Sequence, residues 1–268
     1  MSQHDSYYKN NEAYAEHLAS WDANLYAKYA DTLMPDKPGA RALDVGCGVG
    51  QVVGRLQQAG FEAHGVDVSQ PNIERAKKIS EHCRIYDGKK LPYPDAHFAS
   101  VGALNVLEHV DEPEAFIREL VRVVALNGKI VISSPNFFRV FGFRDYHPKM
   151  RGVGNKLRNW KRLRQKLAVM RGNPDKACFD HMTPIVKEPF TPDDDAIVAT
   201  NPNVRGRVEG PRIGKRTSAG CDFRLLMTRS KARPTSTRAS GTASRLAIER
   251  ASSAKVLKRS AHSGQLPR

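Results

Sequence analysis

The stretch ALDVGCGVG at residues 42–50, followed by GVDVS at 65–69, decides the fold. A short apolar run ends in an acid, Asp44, and opens directly onto Gly46, Gly48 and Gly50. A second apolar run ends in another acid, Asp67. Short apolar runs bounded by glycine read as strands buried on both faces of a parallel sheet. Glycines between a strand and a helix let the backbone approach a ligand with no Cβ in the way. The layout predicts a nucleotide-type pocket at the carboxyl ends of parallel strands.

Working outward, residues 11–34 form an amphipathic helical region with Tyr14, Leu18, Trp21, Leu25 and Tyr29 on one face. A helix is expected from about Gly50 to Ala59, and FEAHGVD makes the second strand. Ser69 and Pro71 open a helix running to about Ser80. CRIYD (83–87) and HFASVGAL (97–104) are the third and fourth strands. Asp111, Pro113 and Glu114 carry the signals of a capped helix, whose inner face holds Phe116, Leu120, Val123 and Val124. Asn127-Gly128 reads as a turn into a fifth strand, KIVISS (129–134). Strands alternating with helices at this spacing predict an α/β fold with a doubly wound, mostly parallel sheet.

After Pro135 the rhythm stops. A helix is expected at about Lys156 to Met170, with Leu157, Trp160, Leu163 and Leu167 on one face and Lys161, Arg162 and Lys166 on the other. Three readings of it stay open: a solvated amphipathic helix packed on the domain, a membrane-surface helix, or a surface for an anionic acceptor. DAIVAT (195–200) is one more short strand. The expected organisation is an N-terminal helical lid over 1–38, a cofactor-binding domain over 39–200 with a basic insertion at 139–176, and a basic, disordered C-terminal tail over 201–268.

The net charge of +15 is local. Residues 1–200 hold 27 Lys/Arg and 25 Asp/Glu, whereas 201–268 hold 16 and 3. Residues 139–176 hold 12 basic and 2 acidic side chains. The charge therefore does not make the body of the chain a nucleic-acid binder. The four cysteines, Cys47, Cys83, Cys178 and Cys221, show no metal or disulfide spacing. No apolar run is long enough for a membrane span, and the first residues lack a secretory stretch, so a cytoplasmic location is expected.

The glycine spacing discriminates between cofactors. A dinucleotide fingerprint needs its third glycine at 51, where this chain has Gln51. ALDVGCGVG instead resembles motif I of the class I S-adenosylmethionine-dependent methyltransferases, an acid followed by three alternating glycines. The likeness continues in order through GVDVS, YDG (86–88), FASVGALNVLEHVDEP and NGKIVISSPN, over about residues 40–136, and is similar to the ubiquinone-biosynthesis-like branch. The resemblance implies S-adenosylmethionine as cofactor. It places Gly46, Cys47, Gly48 and Gly50 in the cofactor loop, with Asp44 toward the amino group and Asp67, beside Val68, on the ribose. It places Asp87 and Gly88 at the adenine and Asn105 at the fourth strand's end.

The resemblance implies methyl transfer to a small-molecule or lipid-linked acceptor, with oxygen the expected atom. His109 and His147 are the candidate bases, against the plainer readings of a locally bonded and a surface histidine. A metal held by Glu108 and His109 is not expected, because Asn105 breaks the carboxylate pair that such a site needs. Cys47 reads as a small packing residue and Asp87 equally as a turn residue.

The tail matches none of the strands that normally close this sheet. Its Arg/Ser/Ala/Thr/Gly composition is that of a frameshifted C-terminus beginning near residue 202, which leaves a catalytically impaired remnant as one alternative. A basic RNA-binding tail is another, and an NAD-type oxidoreductase, disfavoured by Gln51, a third.

Overall fold

The computed structural model describes residues 9–138, 140, 152–172, 179–184, 195–200, 205–209, 220–224, 226–227 and 257–258. Two helices open it, α1 (Glu12–Ala19) and α2 (Ala23–Leu33). The single helical region of the sequence breaks because Asp22 turns its carboxylate onto the Asn24 N–H at 2.9 Å and starts a new helix. Then follow β1 (Arg41–Val45), α3 (Gln51–Gln58), β2 (Glu62–Asp67), α4 (Gln70–Ala76), β3 (Cys83–Ile85), β4 (Phe98–Leu104), a single 3-10 turn (Leu107–His109), α5 (Pro113–Val123) and β5 (Val124–Ser134).

The five strands run parallel in the order β3-β2-β1-β4-β5, as an α/β doubly wound sheet requires. Side chains alternate across it. Leu43 and Val45 face a core with Val101, Ala103, Phe116, Ile117 and Leu120, while Ala42 faces one with Leu33, Val53, Leu56, Ala63 and Ile73. Helices α2, α3 and α4 cover one face and α5 the other.

The second N-terminal helix belongs to this core, with Tyr29, Ala30 and Leu33 buried against the sheet. Ser100 of β4 donates to the Leu33 carbonyl at 2.6 Å, satisfying an orphan acceptor at the helix end. Only α1 lies as a lid, packing Ala15 and Leu18 on Val49 of the glycine loop. It is tied down by Arg75–Glu12 at 3.0 Å and by Gln51 donating to the Ala19 carbonyl at 3.2 Å.

Several elements differ from the sequence reading. Helix α5 begins one residue later than an Asp111 cap implies: Glu112 is its N-cap, no side chain caps it, and Pro113 takes the first turn. The fifth strand starts at Val124. Phe98 pairs with Val124 and Ser100 with Lys129, so Asn127-Gly128 is a bulge within β5, with Asn127 at φ +63°. The basic helix, α6 (Val153–Gly172), turns its apolar stripe outward: Leu157 is 65% and Trp160 45% exposed. Its inner face is held by polar groups. Asn159 donates to the Phe137 carbonyl at 3.1 Å, and the buried Lys166 ammonium lies 3.0 Å from Asp180.

Asp180–His181 (β6) pairs antiparallel with Val198–Ala199 (β7). Within 201–268 four short strands are described: β8 (Arg205–Glu209) pairs with β9 (Gly220–Arg224), while β10 (Leu226–Met227) and β11 (Leu257–Lys258) both meet β5. The rest of the tail, where disorder and a shifted frame are expected, lies outside the described residues, as does much of the insertion at 139–176. Among the described residues no helix is long and apolar enough to cross a membrane.

Gly102 tests the fit of α2 on β4. A Cβ there would overlap the Tyr29 hydroxyl and lie 2.8 Å from Leu33 Cδ1. Gly102→Ala is expected to cost about 1–3 kcal/mol of stability, read as a lower urea midpoint. An unchanged midpoint would show that this face is loosely packed.

Candidate active site

At the carboxyl ends of β1, β2 and β4 lies a cavity of about 970 Å³, counted out to its open mouth. Its floor is the loop after β1, where Gly46 and Cys47 both donate N–H groups to the Val66 carbonyl, at 2.7 and 3.0 Å.

The three glycines do different work. Gly46, at φ +75°, has no room for a Cβ because the Val106 side chain occupies the place. Gly48 gives its N–H to Asp67 Oδ2 at 2.9 Å and lies under Leu18 of the lid. Gly50, at φ +88°, is the cap of α3 and approaches Ala76 of α4 so closely that a Cβ would sit 3.0 Å from its Cβ. Gly50 therefore shapes the loop from behind and does not line the cavity.

Asp44 and Asp67 are buried at neighbouring strand ends, and both line the cavity. Asp67 is well supported: Gly48 N–H, Ser69 N–H at 2.9 Å and the Asn72 amide at 3.3 Å all donate to it. Burial raises its pKa, and these donors oppose the rise. Asp44 has the Tyr29 hydroxyl at 3.0 Å as its hydrogen-bond donor. Burial pushes its pKa up to about 7, the Tyr29 bond pulls it down and the Asp67 charge adds to the rise. Two buried carboxylates on one wall suit a cationic ligand.

Asn105 follows β4 in the left-handed region, at φ +52°, a conformation that Asn tolerates better than most residues. Its Oδ1 is buried at the cavity wall with no hydrogen-bond partner. An orphan acceptor on the strand end next to that of Asp44 fits a ligand that brings N–H or O–H donors. Cys47 and Val68 also line the cavity. The Cys47 thiol is raised by its hydrogen bond with Cys83 and by burial, so it stays protonated and acts as packing.

The predicted adenine contact is not brought to this wall. Asp87 is exposed and accepts the N–H groups of Lys89 and Lys90 at 2.8 and 2.9 Å, closing a turn in which Gly88 supplies φ +82°. Tyr86 lines the cavity instead.

His109 reaches the cavity from the 3-10 turn, with its Nδ1 3.5 Å from Asp195 Oδ2. Glu108 points the other way: it is buried, takes the Ser134 hydroxyl at 2.7 Å, and its carbonyl accepts the Ile197 N–H at 2.8 Å. That contact brings 195–197 back against the turn and delivers Asp195 to His109. His147 lies outside the described residues.

Sequence reasoning missed Asp195, whose one signal is an acid run ahead of a short strand. It also missed the aromatic wall of Tyr14, His17, Trp21 and Tyr26, which line the cavity from the N-terminal helices. Helical spacing had marked Tyr14 and Trp21 as ordinary core residues.

Comparison with known proteins agrees with this geometry. Residues 43–132 match the methyltransferase domain family. The chain is 35% identical over 109 residues to norajmaline N-methyltransferase of Rauvolfia serpentina, 37% of each chain. It is 30% identical over 152 residues to 27-O-demethylrifamycin SV methyltransferase of Amycolatopsis mediterranei (strain S699), covering 46% of this chain and 56% of the relative. Against ubiquinone biosynthesis O-methyltransferase of Bradyrhizobium diazoefficiens it is 32% identical over 103 residues, 37% and 41% of the two chains. The matches thus span between 37% and 56% of these relatives' lengths. Residues 43–132, whose two acids and glycine loop shape this cavity, are thus a methyltransferase domain similar to those of S-adenosylmethionine-dependent methyltransferases.

Proposed function

We propose that this chain methylates a small, uncharged acceptor at oxygen, with His109 as the general base. The observation that carries the reading is the His109–Asp195 pair, set in the same cavity as Asp44 and Asp67. The relatives include both N- and O-methyltransferases, so the family leaves the acceptor atom open. A hydroxyl needs its proton removed as it is methylated, and a base held by a buried carboxylate supplies that.

S-adenosylmethionine supplies an electrophilic methyl group on a positively charged sulfur. The chain's own residues bind, orient and exclude water. Asp67 receives the ribose hydroxyls, Asp44 and the Asn105 amide face the amino-acid end, and Gly46 and Gly48 leave room for both. With Asp195 at Nδ1, His109 presents Nε2 as the acceptor of the hydroxyl proton. With the cofactor bound, transfer would form the O–C bond at the expense of the methyl–sulfur bond, and the role of the aromatic lid residues Tyr14, His17, Trp21 and Tyr26 would be to position the acceptor hydroxyl. Among the described residues the cavity is lined by three Asp and no Lys or Arg, which disfavours a phosphorylated or carboxylate acceptor.

Calorimetric titration tests cofactor binding. S-adenosylhomocysteine is expected to bind where NAD does not, and Asp67→Ala to weaken it at least tenfold. Equal binding to the variant would remove Asp67 from the ribose.

The Asp44 shift gives a pH test. The arriving ammonium group favours the carboxylate, so binding releases a proton, and affinity falls as pH drops below about 7, by up to tenfold per unit. Asp44→Asn flattens this profile. Because the folded-state pKa is raised, stability declines as pH rises from the unfolded value toward about 7. The same variant therefore melts higher than the parent at pH 8 while binding less tightly. A pH-independent affinity between pH 6 and 8 would sink the assignment.

Turnover against a panel of phenols, alcohols and amines, followed by release of S-adenosylhomocysteine, tests the base. His109→Ala is expected to lower kcat by roughly 10²–10⁴ with hydroxyl acceptors and to leave S-adenosylhomocysteine affinity unchanged. Asp195→Asn should shift the pH–rate profile with a smaller loss. Full activity in His109→Ala, or turnover of amines alone, overturns the oxygen reading.

A further inference from the structure

The amino end of β2 carries a second group of chemistry-bearing side chains, away from the cavity. Glu62 and His64 are the first and third residues of the strand and leave it on one face. His82 comes from the turn just before β3, the neighbouring strand. His64 Nε2 lies 3.1 Å from Glu62 Oε1 and 3.4 Å from His82 Nδ1, and the three donor atoms all fall within 4.8 Å of one another. His64 is buried and the other two are exposed, so the group opens outward.

The backbone beneath is fixed. Gly65 donates to the His82 carbonyl at 3.2 Å, and His82 N–H donates to Ser80 Oγ at 3.2 Å. Ser80 Oγ in turn accepts from the Gln57 amide at 2.7 Å. The His64 ring is wedged edge-on against Phe98 and Tyr93, with centroids at 5.5 and 5.6 Å. Two of the three side chains thus come from strand positions and the third from a pinned turn.

Counting protons shows what this arrangement lacks. His64 Nε2 faces a carboxylate oxygen and an imidazole nitrogen at once. A neutral His64 has one ring proton: placed on Nε2 it serves Glu62 and leaves the His82 nitrogen unserved. Placed on Nδ1 it leaves Nε2 bare before the carboxylate. Protonating the other ring nitrogen changes nothing here, because Nε2 still carries a single hydrogen for two facing atoms. A divalent cation takes all three lone pairs together.

The spacing also fits one. Zinc bonded at about 2.0–2.2 Å to nitrogen and oxygen in a tetrahedron sets neighbouring ligand atoms about 3.3–3.5 Å apart. Two of the three separations, 3.1 and 3.4 Å, lie close to that edge, and the third is within 4.8 Å. Two imidazoles and one carboxylate are a donor set suited to zinc. The flanking cations are otherwise engaged: Arg41 Nη1 lies 3.2 Å from His97 Nε2, and the Arg84 guanidinium sits 5.1 Å over the Tyr93 ring.

We propose that Glu62, His64 and His82 form a zinc site with three protein ligands and a fourth position open to solvent. His64 is three residues from Asp67, roughly 10 Å along the strand, at the opposite end from the cofactor cavity. The site therefore staples the start of β2 to the turn before β3 and takes no part in methyl transfer.

The test is titration of the metal-free full-length chain with Co²⁺, followed by displacement with Zn²⁺. One equivalent of tetrahedral cobalt, with its strong visible absorption, is expected, displaced by zinc. His82→Ala and Glu62→Gln replace exposed side chains and leave the core intact; each should weaken binding at least tenfold. Zinc should raise the Tm of the parent and not of His82→Ala. No bound equivalent, or cobalt held equally well by both variants, as scattered surface histidines would hold it, overturns the proposal.

Discussion

The architecture turns on burying two carboxylates side by side. Asp44 and Asp67 end adjacent parallel strands, both below one-tenth exposed. Burial opposes their ionisation and each charge opposes the other. The fold answers unequally. Asp67 receives two backbone N–H groups and an amide, so its cost is largely offset within the protein. Asp44 has one hydroxyl, and its pKa climbs to about 7. A carboxyl so poised suits a cationic group, and none of the described residues lining the cavity is a Lys or Arg. This is instability placed where a ligand relieves it, as binding sites commonly do.

The loop that serves Asp67 is coupled to everything around it. Gly48 N–H reaches Asp67 only because Gly46 turns beneath Val106, and Val106 follows β4. Gly50 lets α3 start against α4, and Gln51 beside it holds the end of the lid helix. Tyr29, the donor to Asp44, is fixed by the close approach of α2 to Gly102 of β4. The cavity is thus the meeting point of three strand ends' packing, and a change in any one of these contacts is felt by a carboxylate.

The strands were legible in the sequence because burial on both faces leaves continuous apolar runs, and Asp44 and Asp67 because they interrupt such runs at their ends. What needed the fold was everything decided by distant neighbours. Asn127-Gly128 has the residues of a hairpin turn, yet β4 continues past it and makes it a bulge. The apolar stripe of α6 promises burial, but the carbonyl of Phe137 and the carboxylate of Asp180 claim the opposite, polar face. Asp87 satisfies its own turn, an outcome its YDG context permitted without requiring. Asp195 is 86 positions from His109, and no spacing rule connects them. Glu62, His64 and His82 converge through strand pairing that carries no sequence motif.

Charge balance links the acids of the cavity. Asp44, Asp67 and Asp195, the last beside His109, all line it, with no Lys or Arg lining the cavity among the described residues. An anionic acceptor would enter against all three. A neutral hydroxyl enters without that opposition, and in the proposed reaction His109 gains a positive charge as the methyl donor loses one. In that reaction the acids would face one cation before transfer and one after it, the second being the imidazolium beside Asp195. Little reorganisation is needed at that moment, because the compensating carboxylate is already buried in place. Under the proposed reaction, the buried Asp195 would be the partner of that imidazolium.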